Sequence, residues 1–268
     1  MQKKNWLLVL LFFSISFVSS LAPSSAQAES QDQGDMDISF KGMLDPGYGI
    51  LDPEHPEKTL NPGVDYGKTS GPLRIDFVPN FQFGRSAINL SNMSYSANAL
   101  LFEGEIAPRG QFIQISDYRE GQTGWSLQVR QDTQFTNIKD SKTQLDGAVL
   151  SFDNSWVSTR NGASRQPDVS KEVIRLDNLG ETYTLAHSPK GTGNGTWSIV
   201  FGASKDNPED ESGTINPRLD KNGNIISDPQ ENQALYMNNA VRLSLPGKTK
   251  KKPGTYATVL TWIISELP

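Results

Sequence analysis

YATVLTWIIS, residues 256–265, and GWSLQV, residues 124–129, each set a Trp two positions before an aliphatic residue: Trp262 before Ile264, and Trp125 before Leu127. In an extended chain, residues i and i+2 point to the same side, so each pair forms one apolar unit on one face of a strand. Around Trp125 the alternation is clean, with Ser126, Gln128 and Arg130 between the apolar positions. The later stretch differs. Tyr256, Leu260, Trp262 and Ile264 occupy one face, and Ala257, Val259 and Ile263 the other. A strand apolar on both faces is usually covered on both, so this stretch is expected to be a central core strand.

Moving outward, the same period of two recurs. Leu73, Ile75 and Phe77 are spaced by two, as are Ala148, Leu150 and Phe152. Trp197, Ile199 and Phe201 follow suit, then Val241, Leu243 and Leu245. Turn residues separate these runs, and no long window carries a 3.6-residue stripe. The expected fold is all-β: an antiparallel two-sheet β-sandwich, immunoglobulin-like in general architecture, over residues 72–268.

Two segments precede it. Residues 1–28 have the form of an export signal: Lys3 and Lys4, an apolar run from Trp6 to Val18, and Ala26-Gln27-Ala28 as a cleavage site. The apolar run is short for a span of about 20 residues, and no later segment is expected to cross a bilayer as a helix. Residues 29–71 include LDPGYGILDPEHPEKTLNPG (44–63), crowded with Pro, Asp and Gly. This composition predicts a disordered, flexible leader dispensable for folding.

The whole chain has 25 Lys+Arg and 30 Asp+Glu; removing Lys3 and Lys4 with the signal leaves 23 basic residues and a net charge near −7. That balance speaks against nucleic acid, which requires a basic footprint. With no Cys, the chain has no disulfide, thiolate metal site or cysteine nucleophile. A secreted domain of this kind depends on its hydrophobic core. No hydrophobic tail with a basic stop is seen near Pro268, so retention at a surface is expected to be non-covalent.

The ordered set of motifs resembles the WxL-domain family of Gram-positive cell-surface proteins. The set comprises PLRIDFVPNFQFG (72–84), FIQISDYREGQTGWSLQV (112–129), GTWSIVFG (195–202) and VRLSLPGKTKKKPGTYATVLTWIISELP (241–268). The second motif carries Ile264 where the family has Leu, a nearly volume-neutral exchange. The resemblance implies non-covalent attachment to the cell wall, with peptidoglycan as the proposed ligand. It also implies assembly with other surface proteins, often including a membrane-anchored partner.

Candidate residues follow. Trp125, Leu127, Trp262 and Ile264 read either as peptidoglycan contacts or as core. Tyr118, Trp156 and Tyr236 lie in polar surroundings and suit stacking on sugar faces, while Asp117 and Arg119 form an Asp-x-Arg step before the first motif. Asp220, Asn222, Asn224 and Asp228 resemble an oxygen-rich calcium loop, but Gly223 sits where a tight turn would place it. Lys248, Lys250, Lys251 and Lys252 are expected at a hairpin tip. His55 and His187 are the only histidines; they support neither a catalytic triad nor a zinc set. No catalytic residue, metal or cofactor is expected. The runner-up functions are a structural or adhesive subunit and, behind it, a wall hydrolase.

Overall fold

The computed structural model describes residues 45–121, 123–160, 165–227 and 233–267; the export segment and residues 29–44 of the leader lie outside them. Among the described residues there is no helix, and each alternating run becomes a strand. In chain order these are β1 (Ile50–Leu51), β2 (Thr59–Leu60), β3 (Leu73–Phe77), β4 (Met93–Asn98), β5 (Gln111–Asp117) and β6 (Trp125–Gln131). Then come β7 (Thr136–Asn137), β8 (Asp140–Gln144), β9 (Val149–Phe152), β10 (Ser155–Ser158), β11 (Asp168–Val169) and β12 (Ile174–Arg175). The rest are β13 (Thr182–Ser188), β14 (Gly195–Phe201), β15 (Ile215–Pro217), β16 (Tyr236–Leu245), β17 (Tyr256–Ala257) and β18 (Leu260–Glu266).

The strands pair antiparallel into packed sheets. One has the order β10-β14-β5-β3, a second β11-β13-β6-β18, and a third β12-β9-β16-β15 with β4 also on β16. Side chains from all three meet in one cluster: Ile113, Ile115 and Ile199 from the first, Trp125, Leu127 and Leu185 from the second, Phe152 and Val241 from the third.

β5 and β14 are buried along their entire length. One face supplies the shared core. The other carries Phe112 and Val200, which pack with Ile50, Leu60, Phe77, Phe102 and Trp156 in a second cluster. Residues 45–71, expected to be flexible, therefore form a lid on the outer face of this sheet. Of their apolar residues, Ile50 and Leu60 are buried on it and Tyr66 packs beside them, while Val64 stays exposed. Their polar residues are satisfied there too: the Gln114 amide accepts from Leu51 N at 2.7 Å and donates to Gly49 O at 2.7 Å. Asp52, 1 % exposed, takes the Nε and Nη2 protons of Arg109 at 2.7 and 2.8 Å. Glu54 adds a second carboxylate at 3.4 Å and also accepts from Ser204 N at 2.7 Å. Burial pulls the Arg109 pKa down, but Asp52 and Glu54 outweigh it and raise the value overall. Composition alone misjudged this segment, because buried ion pairs and amide bonds hold it as much as apolar area does.

The terminal strand also differs from expectation. β18 lies at the edge of its sheet, hydrogen-bonded only to β6, and its residues from Leu260 to Ser265 are only partly buried. The doubly covered positions belong to β5 and β14. In β5 the alternation of FIQISD reads as half-exposed, yet Gln114, Ser116 and Asp117 are each 1 % exposed and hydrogen-bonded. Residues 246–254 are not a hairpin tip either. The strand before them pairs with β4, β9 and β15, and the strands after them pair with β7 and β6. The lysine-rich loop is a crossover between sheets.

Candidate functional site

The two Trp-x-aliphatic motifs come together as neighbouring strands. In the antiparallel ladder of β6 and β18, Ile264 lies opposite Leu127, Trp262 opposite Val129, and Glu266 opposite Trp125. The motifs are not equivalent in environment. Trp125 and Leu127 are 0 % exposed, so no ligand reaches them in this fold. The indole Nε1 of Trp125 donates to Gly193 O at 3.1 Å. Gly193 has φ +69°, and a Cβ there would press against Trp125 Nε1 at 2.7 Å and against the Ser188 side chain. Only glycine fits this approach. Trp262 and Ile264 are partly buried, their rings and chains packed on the core cluster from its edge.

Asp117 and Arg119 position the first motif. The buried Asp117 carboxylate accepts Arg119 Nε and Nη2, both at 2.9 Å, and Arg119 Nη2 also donates to Thr123 O at 2.8 Å. Arg119 Nη1 then reaches Glu266 Oε2 of β18 at 3.1 Å. Its hydrogen bonds to Asp117, opposed by burial, raise the Arg119 pKa. The Asp-x-Arg step thus clamps the turn before β6 and ties it to β18.

The sugar-stacking candidates occupy other places. Trp156 is 3 % exposed and donates from Nε1 to Gly202 O at 3.1 Å. Tyr118 is buried, with its hydroxyl 3.0 Å from Thr196 Oγ1; burial first, opposed by that hydrogen bond, raises its pKa. Neither presents a ring face to solvent. Tyr236 is partly buried at the start of β16, opposite Pro217. Asp220 Oδ1 accepts from the backbone N of Asn222 at 2.8 Å and Asn224 at 2.9 Å, which is a turn; Asp228 lies outside the described residues. Among the described residues no cluster of His, Cys, Asp and Glu has the form of a metal site. In the lysine loop, Lys248 and Lys250 are exposed, whereas Lys251 Nζ donates to the carbonyls of Pro246, Gly247 and Thr249 at 3.2–3.3 Å. Lys252 Nζ pairs with Asp140 at 3.1 Å.

The open feature of the surface lies beside Trp262. A groove of about 1340 Å³ runs between β18, the loop over residues 251–258 and the segment over residues 78–88. That volume exceeds the 300–1,000 Å³ typical of small-molecule pockets. Its aromatic lining comes from Phe81, Phe83, Phe135, Tyr256 and Trp262, with Leu243 and Leu245 beneath. Every charged residue on it is a cation (Lys68, Arg85, Lys251 and Lys252), although the whole chain has a net charge of −5. Residues 79–92 form one bank and carry no strand or helix. Irregular segments of this length in a compact domain are usually either functional or linkers.

Of the candidate binding residues read from the sequence, Trp262 and the lysines at 251 and 252 line this groove. Phe81, Phe83 and Phe135 are not among those candidates, and in the sequence Tyr256 reads only as a position on the terminal strand. The hint was local: PNFQFGRSA, residues 79–87, places two Phe two apart in a stretch otherwise lacking a strand pattern.

Compared with known families, residues 24–268 match a family model described as "WxL domain surface cell wall-binding". Comparison with curated proteins and with solved structures gives no match.

Proposed function

Since the chain belongs to the WxL family of surface cell wall-binding domains, and so is a cell-surface, wall-associated protein, we propose that it attaches non-covalently to peptidoglycan through the groove beside Trp262. The observation that carries this reading is the lining of that groove. Several aromatic residues line a groove larger than a typical small-molecule pocket, and Asn80, Gln82 and Thr258 stand among them. Aromatic faces suit the apolar faces of sugar rings, and the polar groups suit hydroxyls and amides. On this reading residues 1–28 export the chain, and the groove retains it outside.

Sedimentation with peptidoglycan freed of protein and teichoic acid tests the reading. The full chain should co-sediment, and Phe83→Ala should release most of it while melting within a few degrees of the parent. A chain that stays in the supernatant with the purified polymer overturns it.

A second reading rests on Ile88 and Leu90, which are 51 % and 86 % exposed on the irregular segment. Neighbouring exposed aliphatics suit a protein contact. They favour a structural or adhesive subunit that docks on another surface protein, including a membrane-anchored one. Cross-linking at Leu90 in the native cell surface would identify such a neighbour; crosslinks to wall fragments alone would remove this reading.

A further inference from the structure

The ladder between β6 and β18 has a consequence for the groove. Leu267 N donates to Gly124 O at 2.8 Å, and Asp132 N donates to Val259 O at 3.0 Å. In an antiparallel pair, hydrogen-bonded positions alternate. Residues 259, 261, 263, 265 and 267 therefore direct their amides and carbonyls at β6. Leu260, Trp262, Ile264 and Glu266 direct theirs away from it. β18 is an edge, and among the described residues no hydrogen bond reaches the outward amides of Leu260, Trp262 and Ile264. Natural edges are usually guarded by Lys, Pro or a bulge. β18 has no Lys or Pro, and its register with β6 is unbroken.

Leu260 and Trp262 also line the groove. The outward peptide groups of β18 thus begin at the groove, at Leu260 and Trp262, and continue past it at Ile264, and an extended peptide is the ligand that matches such a row. The charge on the groove narrows the choice. It carries four cations and no carboxylate, on an acidic chain. Two of the cations are engaged, Lys251 with loop carbonyls and Lys252 with Asp140. Lys68 and Arg85 form no ion pair among the described residues, and Lys68 Nζ sits 5.6 Å over the Tyr66 ring. The fitting occupant is a short extended peptide that bears free carboxylates.

Resting on the peptidoglycan reading, we infer that the part of the polymer recognised here is its stem peptide. The peptide lies along β18 as an added strand. Its amide groups bond the outward backbone of Leu260, Trp262 and Ile264, and its carboxylates face Lys68 and Arg85. The glycan, which has no comparable row of amides, is held secondarily by the aromatic lining.

The test uses the full chain and three probes: intact purified peptidoglycan, glycan strands whose peptides have been removed by an amidase, and the released stem peptides. Two readouts are taken, binding and amide hydrogen exchange. The expected result is binding to intact polymer and to free stem peptide, with at least tenfold slower exchange at the amides of Trp262 and Ile264. Stripped glycan should bind at least tenfold more weakly. Lys68→Glu with Arg85→Glu should weaken stem-peptide binding tenfold or more with the fold unchanged by circular dichroism. Stripped glycan that binds as well as intact polymer overturns the inference and leaves the peptidoglycan reading standing. Binding of intact polymer without protection of the β18 edge also overturns it. Failure to bind intact polymer removes both.

Discussion

Phe81 stacks on Trp262, with ring centroids 5.8 Å apart and planes 12° from parallel. The contact joins the irregular segment at one bank of the groove to the edge strand at the other. Trp262 also meets Phe152 of the core edge-on at 6.2 Å. One ring therefore belongs both to the groove and to the margin of the core, unlike Trp125, which belongs to the core alone.

That difference is measurable. Trp125→Ala removes a fully buried indole and its hydrogen bond, and should cost about 3–5 kcal/mol. Trp262→Ala removes a partly buried ring and one stack, and should cost roughly 2 kcal/mol. Chemical denaturation of the two variants checks this. Equal losses would show that Trp262 is as much a core residue as Trp125.

The lid over β5 and β14 makes a second prediction. Asp52→Ala leaves Arg109 buried with its bidentate partner gone, and should cost about 3–5 kcal/mol. A chain starting at Gly71 lacks Ile50, Leu51, Leu60 and Asp52 together. It should melt at least 10 °C below the full chain in a thermal scan or fail to fold. A matching melting temperature would show that the lid is only laid on the sheet.

Acid should loosen β18 before the middle of β5. Hydrogen bonds from Thr261 first, then Arg130, lower the Asp132 pKa below its ordinary 3.8; for Glu266, the Thr123 hydrogen bond first, then Arg119, lower it below 4.5. Carboxylates with depressed folded-state values contribute stability that is fully present above their ordinary pKa values and is lost as pH falls through the lowered ones. Amide exchange of the inward residues Ile263 and Ser265 should accelerate below about pH 4 relative to the middle of β5. Parallel behaviour of the two strands, or no change, would deny these carboxylates their role.

The lysines of the crossover loop should separate cleanly. Lys251→Gln loses three donated hydrogen bonds to loop carbonyls and should cost roughly 1–2 kcal/mol. Lys248→Gln and Lys250→Gln touch exposed side chains and should stay within about 0.5 kcal/mol of the parent. Equilibrium unfolding of the single variants distinguishes them.

Much of this fold is legible in alternation. Leu73-Ile75, Trp125-Leu127-Val129 and Trp197-Ile199-Phe201 lie in strands and face the shared core, whereas a bulge after Ile75 turns Phe77 to the lid side. What alternation does not carry is what covers the other face. Gln114 and Ser116 look like solvent positions, yet both are buried: the backbone of Gly49 and Leu51 satisfies Gln114, and Asp76 and Thr196 satisfy Ser116. Conversely, β18 looks doubly covered because its sequence is apolar throughout, while strand order makes it an edge. Strand order comes from pairing across more than a hundred residues, which no local window contains. For the same reason the groove was only half visible. Trp262 and the lysines stood out by type, but Phe135 and Phe83 approach it from distant segments.

The lid has one more consequence, in the order of events. Residues 50–60 leave a ribosome or a translocation channel before the strands they cover, and they have no sheet to settle on until residues 111–117 and 195–201 have emerged and paired. β6 likewise waits for residues 260–266. A fold whose early segments depend on late ones cannot complete its native pairing early, and domains dominated by such distant pairings fold in milliseconds to seconds. The architecture that seals β5 and β14 therefore also defers the burial of residues 50–60 until most of the chain's length is available.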